Sequence, residues 1–287
     1  MIEVLLHSPI FFFSCLALLG LIIGSFLNVV AYRLPIILKD QWRRDCLTFL
    51  GETPKESIEL SLSRPNSHCP KCKFAIRPWE NIPVFSYILL RGKCSNCAEE
   101  INWRYPCVES LTALCTIYLG YFFGLSWELL GALVLVWSLI TLSLIDIDHH
   151  LLPDDITFPL LWLGLIVNIN SLFVPLKSAL IGAILGYGVL WGTYWIFKFL
   201  TGKEGMGFGD FKLLAALGAW LGWESLPMII LLSSVTGAIM GIFQILFAGH
   251  KKDIPIPFGP YLALAGFVIL SMRAKDNFYI SSFSIYW

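Results

Sequence analysis

An all-α polytopic membrane protein of about eight transmembrane helices, with a small cytoplasmic domain between the first two, is the fold class this sequence predicts. Three observations carry it. The 287 residues are 57% hydrophobic and only 14% charged, with a mean hydropathy of +0.73, whereas soluble domains carry about 25% charged residues. Apolar runs long enough to cross a bilayer recur along the chain, so the shortage of charge is not the mark of a single anchor. One long polar stretch, 32–105, interrupts those runs.

The first apolar run, 9–31, has no basic residues before it and exceeds the roughly 7–15-residue core of a signal peptide. It predicts a retained first helix. Residues 32–105, rich in proline and charge, are long enough for a small domain, and further spans are expected at 107–123, 127–145, 156–173, 177–199, 226–248 and 258–272. The stretch 211–223 is ambiguous, because 13 helical residues cover only about 20 Å. Charge decides its status. With eight spans and the N-terminus outside, 17 of the 20 Lys and Arg fall on the inner side or at its boundary: the twelve from Arg33 to Arg104, then Lys198, Lys203, Lys212, Lys251 and Lys252. That is the bias of cytoplasmic loops, and omitting 211–223 would move Lys251 and Lys252 outside. The expected organisation is therefore 1–31 first span, 32–105 cytoplasmic domain, 106–273 transmembrane domain and 274–287 tail.

"HCPKC" and "KCSNC" place Cys69, Cys72, Cys94 and Cys97 as two C-x-x-C pairs with 21 residues between them. This spacing suits a closed tetrahedral four-thiolate zinc site, one knuckle per pair. Lys71, Lys73, Arg91 and Lys93 would favour the thiolates. Two disulfides or unrelated thiols are the alternatives, and a cytosolic location disfavours the first. A site without an open position would serve folding, which a domain of this size needs. Cys15, Cys46, Cys107 and Cys115 have no ligand spacing.

Two acidic stretches are set for chemistry. Asp146 and Asp148 end the third span, and Asp210, in "GMGFGDFKLL", begins the sixth. Two spans lie between, so both stretches face the same side at similar depth. Ionisable groups at a span end are costly unless solvated or used. Helix capping accounts for Asp154 or Asp155 and is open to Asp210 as well, although Gly205, Gly207 and Gly209 exceed what a cap needs and would let a backbone approach closely. Two facing carboxyls can share a proton, one activating water and the other protonating the scissile amide. His149 and His150 are adjacent, which suits a metal site on a helix poorly. No serine sits in a G-x-S-x-G elbow.

With these stretches, "GSFLNVVAYRLP" (24–35), "RPNSHCPKC" (64–72), "RGKCSNC" (91–97), "RYPCVESLTAL" (104–114) and "PFGPYLALAG" (257–266), nearly the whole chain resembles the type IV prepilin peptidases that are also N-methyltransferases. The resemblance implies an intramembrane aspartyl dyad. Asp146 matches the first aspartate of D-x5-[LI]-P-[DN], completed by Leu152, Pro153 and Asp154, and Asp210 matches G-x-G-D. It further implies bacterial inner-membrane localisation, with the site facing the cytoplasm. Prepilins and type II secretion pseudopilins would lose a basic leader after its glycine, and the new amine would be methylated from S-adenosylmethionine. No Rossmann-type glycine loop marks a methyl-donor site. Arg91, Gly92, Lys93 and Glu109 are its candidates, each equally open to a structural role in a knuckle turn or as a membrane-edge cap. The lipid bilayer is an expected partner and nucleic acid is not. A competing class is an ion or proton-coupled transporter using the same carboxylates, though its repeated halves and mid-bilayer acids are not evident here.

Overall fold

The computed structural model describes residues 8–53, 60–203, 205–247 and 256–284, and the chain divides into two compact units, Met1–Tyr121 and Phe122–Trp287. Lys251 and Lys252, on which the eight-span parity leans, and the last three tail residues lie outside the described residues.

In the first unit, α1 (Pro9–Phe49) starts from the Ser8 cap with proline at its first position, where a missing N–H costs nothing. It does not stop at 31 as the apolar run does. Polar but helix-compatible residues carry it to Phe49, and Gly51 then turns left-handed at φ 76°, a conformation glycine adopts freely. After a short helix α2 (Phe85–Leu89), α3 (Arg104–Phe123) packs against α1. Gly20 and Gly24, one turn apart, face α3 so closely that a Cβ on either would lie 2.5 Å from Cα of Ala113 or 2.7 Å from Cα of Glu109. Such small-residue seams let membrane helices touch backbone to backbone. Buried Arg33 donates to the carbonyls of Ser61 (3.0 Å), Leu62 (3.2 Å) and Pro65 (2.7 Å), tying the polar loop to α1.

The second unit holds α4 (Trp127–His149), α5 (Asp154–Val167), α6 (Leu176–Thr201), α7 (Phe208–Leu221), α8 (Leu226–Phe247) and α9 (Gly259–Ser284). Among the described residues a helix thus stands at each of the eight expected spans and there is no sheet; five spans, four of these helices and Trp223–Gln244, are long and apolar enough to cross a membrane. The ambiguous stretch is α7, and its shortness has a reason. From Asp210 to Leu221 every residue but Lys212 is buried, so it is the core of the unit rather than a lipid-facing span. A Cβ on Gly182 of α6 would collide with the Gly218 carbonyl, and one on Gly186 would lie 2.6 Å from the Leu214 oxygen. On another side Trp220 packs into the gap at Gly164 of α5 and donates to the Leu160 carbonyl at 2.8 Å.

The span expected at 156–173 is broken at Asn168. That side chain donates to the carbonyls of Ala219 (2.9 Å) and Trp220 (3.3 Å) and accepts from the N–H of Phe173 (2.9 Å) and Val174 (3.1 Å). Arg273 completes the cap, donating to the carbonyls of Leu221 (2.7 Å) and Phe173 (3.2 Å) and to Ser225 Oγ (3.0 Å). A buried helix C-terminus leaves carbonyls that need such partners.

Candidate active site

Asp146 lies in the last turn of α4 and is 6% exposed; Asp210 lies in the first turn of α7 and is 7% exposed. Asp148 is exposed, so burial separates the two acids of "DID". Each buried carboxyl faces the backbone at a helix start. Asp146 Oδ2 accepts the N–H of Gly259, the first residue of α9, at 2.9 Å, and the N–H of Gly207, the N-cap of α7, bears on Asp210. Helix N-termini favour negative charge there. Asp210 sits at the third helical position, with Oδ2 3.9 Å from a Cβ built on the N-cap Gly207, so its position is also that of a capping acid.

The neighbours of the aspartates bring their two motifs together. A Cβ on Gly209 would lie 2.8 Å from Leu152 Cβ, and one on Gly259 would lie 2.7 Å from Asp146 Oδ2 and 3.1 Å from Leu152 Cδ2. The Leu152 side chain thus fills the space between the glycine preceding Asp210 and the glycine that binds Asp146. Lys212 Nζ meets both oxygens of Asp154, at 2.6 and 2.8 Å, and lies 5.1 Å from the Phe158 ring centroid. Of the two acids expected to cap α5, neither is its N-cap, which is Pro153; both Asp154 and Asp155 lie in the first turn, where the helix dipole favours them, and Asp154 turns to Lys212. Sequence spacing matched Leu152 to a pattern without giving it a job, and gave Asp154 only the capping role; a lysine two residues after Asp210 was the signal for the Lys212–Asp154 pair.

Cys69, Cys72, Cys94 and Cys97 have all four sulfurs within 4.8 Å of one another, a cluster that can hold a metal ion. Two copies of one turn build it. The Cys69 N–H donates to Phe74 O (2.9 Å) and the Lys73 N–H to Cys69 O (2.9 Å); the Cys94 N–H donates to Glu99 O (2.8 Å) and the Ala98 N–H to Cys94 O (3.0 Å). Lys73 and Ala98 both take positive φ, 59° and 57°. The Phe74 N–H and the Asn96 side chain hold the Cys72 thiol down to about 6. Against the Glu99 N–H, which favours its thiolate, desolvation and the three other sulfurs push Cys97 up to about 12. Four adjacent thiols cannot all ionise without a cation.

Arg91, Gly92 and Lys93 line a cavity of about 560 Å³ together with Tyr87, Glu100, Ile101, Asn102 and Trp103. Glu109 is not among these residues. It is buried in α3, where it accepts the Val84 N–H at 2.8 Å. The four methyl-donor candidates are therefore not brought together.

Comparison with known proteins decides the family. The description Bacterial Peptidase A24 N-terminal domain matches residues 18–123, and Type IV leader peptidase family matches 133–242. The chain is 51% identical over 271 residues, 94% of its length and 93% of the relative's, to the prepilin leader peptidase/N-methyltransferase of Pseudomonas aeruginosa. The chain belongs to the type IV leader peptidase family. Leader peptidases of the same printed name from Aeromonas hydrophila and Legionella pneumophila share 51% identity (91% of each chain) and 45% identity (93% of each chain). No solved structure matches. In this leader peptidase the first domain match spans the cysteine cluster and the second spans both Asp146 and Asp210, while Gly259 lies beyond the end of the second.

Proposed function

We propose that this enzyme removes the basic leader, after its glycine, from type IV prepilins and type II secretion pseudopilins, using Asp146 and Asp210, and then methylates the exposed amine. The observation that carries the peptidase step is the junction of the two aspartate motifs through Leu152, Gly209 and Gly259. One carboxylate takes a proton from water as its oxygen adds to the scissile carbonyl. The other carboxyl, protonated, gives its proton as the C–N bond breaks and the amine leaves. Of the glycines before Asp210, Gly207 leaves room for an extended peptide backbone, since a Cβ there would meet nothing nearer than Asp210 Oδ2 at 3.9 Å.

The cysteine cluster fits zinc. Bonds of roughly 2.3 Å in a tetrahedron put sulfurs about 3.8 Å apart, and Cys69 Sγ lies 3.7 Å from Cys97 Sγ. Zinc bound there would be structural, joining two knuckles most of whose residues are exposed. S-adenosylmethionine supplies an electrophilic methyl when bound. The cavity at Arg91, Gly92 and Lys93 has a size usual for small-molecule sites, cations suited to a carboxylate, and the Tyr87 and Trp103 rings with Glu100 suited to an adenine and a cationic centre. Placement in the bacterial inner membrane with the dyad facing the cytoplasm is part of this reading, and the basic loops and a leader that is itself basic support the orientation.

Cleavage of a purified prepilin by the detergent-solubilised enzyme tests the central claim. Asp146→Asn and Asp210→Asn should each lower the rate by about 100-fold or more, the scale of general acid–base catalysis, with helical circular dichroism unchanged. Retained cleavage in either folded variant would remove that aspartate from the mechanism.

A further inference from the structure

Between the two cysteine knuckles, the segment "IPVFSYILL" (82–90) carries no charge. It is far too short to cross a bilayer, which takes roughly 20 residues. Its large side chains are nonetheless turned outward: Phe85 is 60% exposed, Ile88 65%, Leu89 79%, and Trp79 just before it 61%. An apolar surface of this kind on a folded chain calls for a partner.

The structure indicates what covers it. The Val84 N–H donates to the carboxylate of Glu109 at 2.8 Å, and Glu109 sits in α3, a helix able to span the membrane. Glu109 also faces Gly24 of α1, since a Cβ on Gly24 would lie 2.7 Å from its Cα. Gly24 is seven residues inside the end of the α1 apolar run at Ala31, about 10 Å of helix. A helical side chain leans toward its own N-terminus, so the Glu109 carboxylate reaches from that depth back toward the start of α3. Exposed Tyr32, Trp103 and Tyr105 mark the same level, as interfacial aromatics do. Arg77 and Arg91 flank the segment, with the Arg77 guanidinium 5.7 Å from the Trp79 ring centroid, and both suit lipid phosphates.

We infer that residues 79–90 are an interfacial membrane segment, with Trp79, Ile82, Phe85, Ile88 and Leu89 inserted among lipids beside α1 and α3. The turn Arg91–Gly92–Lys93 follows directly and is fastened to the segment, because the Gly92 N–H donates to the Tyr87 carbonyl at 2.8 Å. The cavity lined by that turn is thereby held at the membrane surface.

The test reads lipid contact and not activity, so it stands apart from the prepilin proposal. Photoreactive benzoylphenylalanine is placed at Phe85, at Leu89 or, as a control, at Glu52 in the full-length protein, in nanodiscs of phosphatidylethanolamine and phosphatidylglycerol. Glu52 lies past the end of α1, some twenty residues beyond the apolar run. After irradiation, intact mass spectrometry should show lipid adducts at Phe85 and Leu89 severalfold above those at Glu52. Yields at Phe85 and Leu89 equal to the control, or crosslinks there to a second copy of the chain instead of lipid, would overturn the inference.

Discussion

At the scale of single residues, the aspartates are less distinctive than their supports. A carboxyl at a helix end is easily found by sequence; what joins the two aspartate motifs is the leucine between two glycines and the lysine beside one aspartate. The Lys212–Asp154 pair is partly exposed, so its direct contribution to stability is small, about 0.2–1 kcal/mol. Its larger effect is to fix the start of α7 against the first turn of α5, two residues from Asp210. Lys212→Met should therefore lower kcat for cleavage severalfold while barely moving the melting temperature. The double variant Lys212→Met/Asp154→Asn should be no slower than Lys212→Met alone, because the two side chains act as one unit; additive losses would show that each works separately.

Among the helices, α7 governs the arrangement, since it carries Asp210 and lies buried. Gly182 and Gly188 of α6 offer a comparison on one element. Gly182 meets the α7 backbone, whereas nothing lies within 4 Å of a Cβ built on Gly188. Gly182→Leu should cost at least about 1–3 kcal/mol, the scale of overpacking, and Gly188→Leu should be close to neutral, both followed by thermal unfolding in detergent. At the far end of α7, Asn168 satisfies two carbonyls and two N–H groups. Asn168→Leu strands buried polar groups at about 1–3 kcal/mol each, so a marked fall in melting temperature is expected. Cleavage at temperatures where the variant remains folded should survive, because Asn168 lies at the opposite end of α7 from Asp210.

On the scale of the whole molecule, the cysteine cluster and the membrane bundle are separate structural problems. The first has little core and depends on its four sulfurs. Metal analysis should find about one zinc per chain, lost in Cys69→Ser/Cys94→Ser. The pH dependence follows from the two displaced thiols. Cys72, held down to about 6, is thiolate above that pH and is protonated as pH falls through it, while Cys97, pushed up to about 12, still carries its proton at neutral pH. Zinc uptake by metal-free protein should therefore rise as pH increases through about 6, and at neutral pH it should release protons to a weakly buffered indicator. Uptake independent of pH from 5 to 8 would mean that the cluster is not the metal site.

Much of this protein is legible in one dimension. Hydropathy locates seven of the eight span helices, and loop charge the eighth, because burial in lipid and burial in protein ask for the same apolar residues; C-x-x-C spacing identifies the cysteine cluster because each knuckle is a local turn. Family-like motifs single out Asp146 from Asp148. Local pattern has no purchase on contacts between distant segments. That α7 is a buried core helix, that α5 ends early at Asn168, that Leu152 and Lys212 join the two aspartate motifs, and that Glu109 serves Val84 rather than the cavity at Arg91 all depend on segments some 25 to 115 residues apart. Such contacts are selected by the packing of the whole bundle, where a missing Cβ or a stranded carbonyl decides which helices can meet. The sequence by itself determined which residues are costly to bury; only the tertiary structure decided which partner makes each burial tolerable.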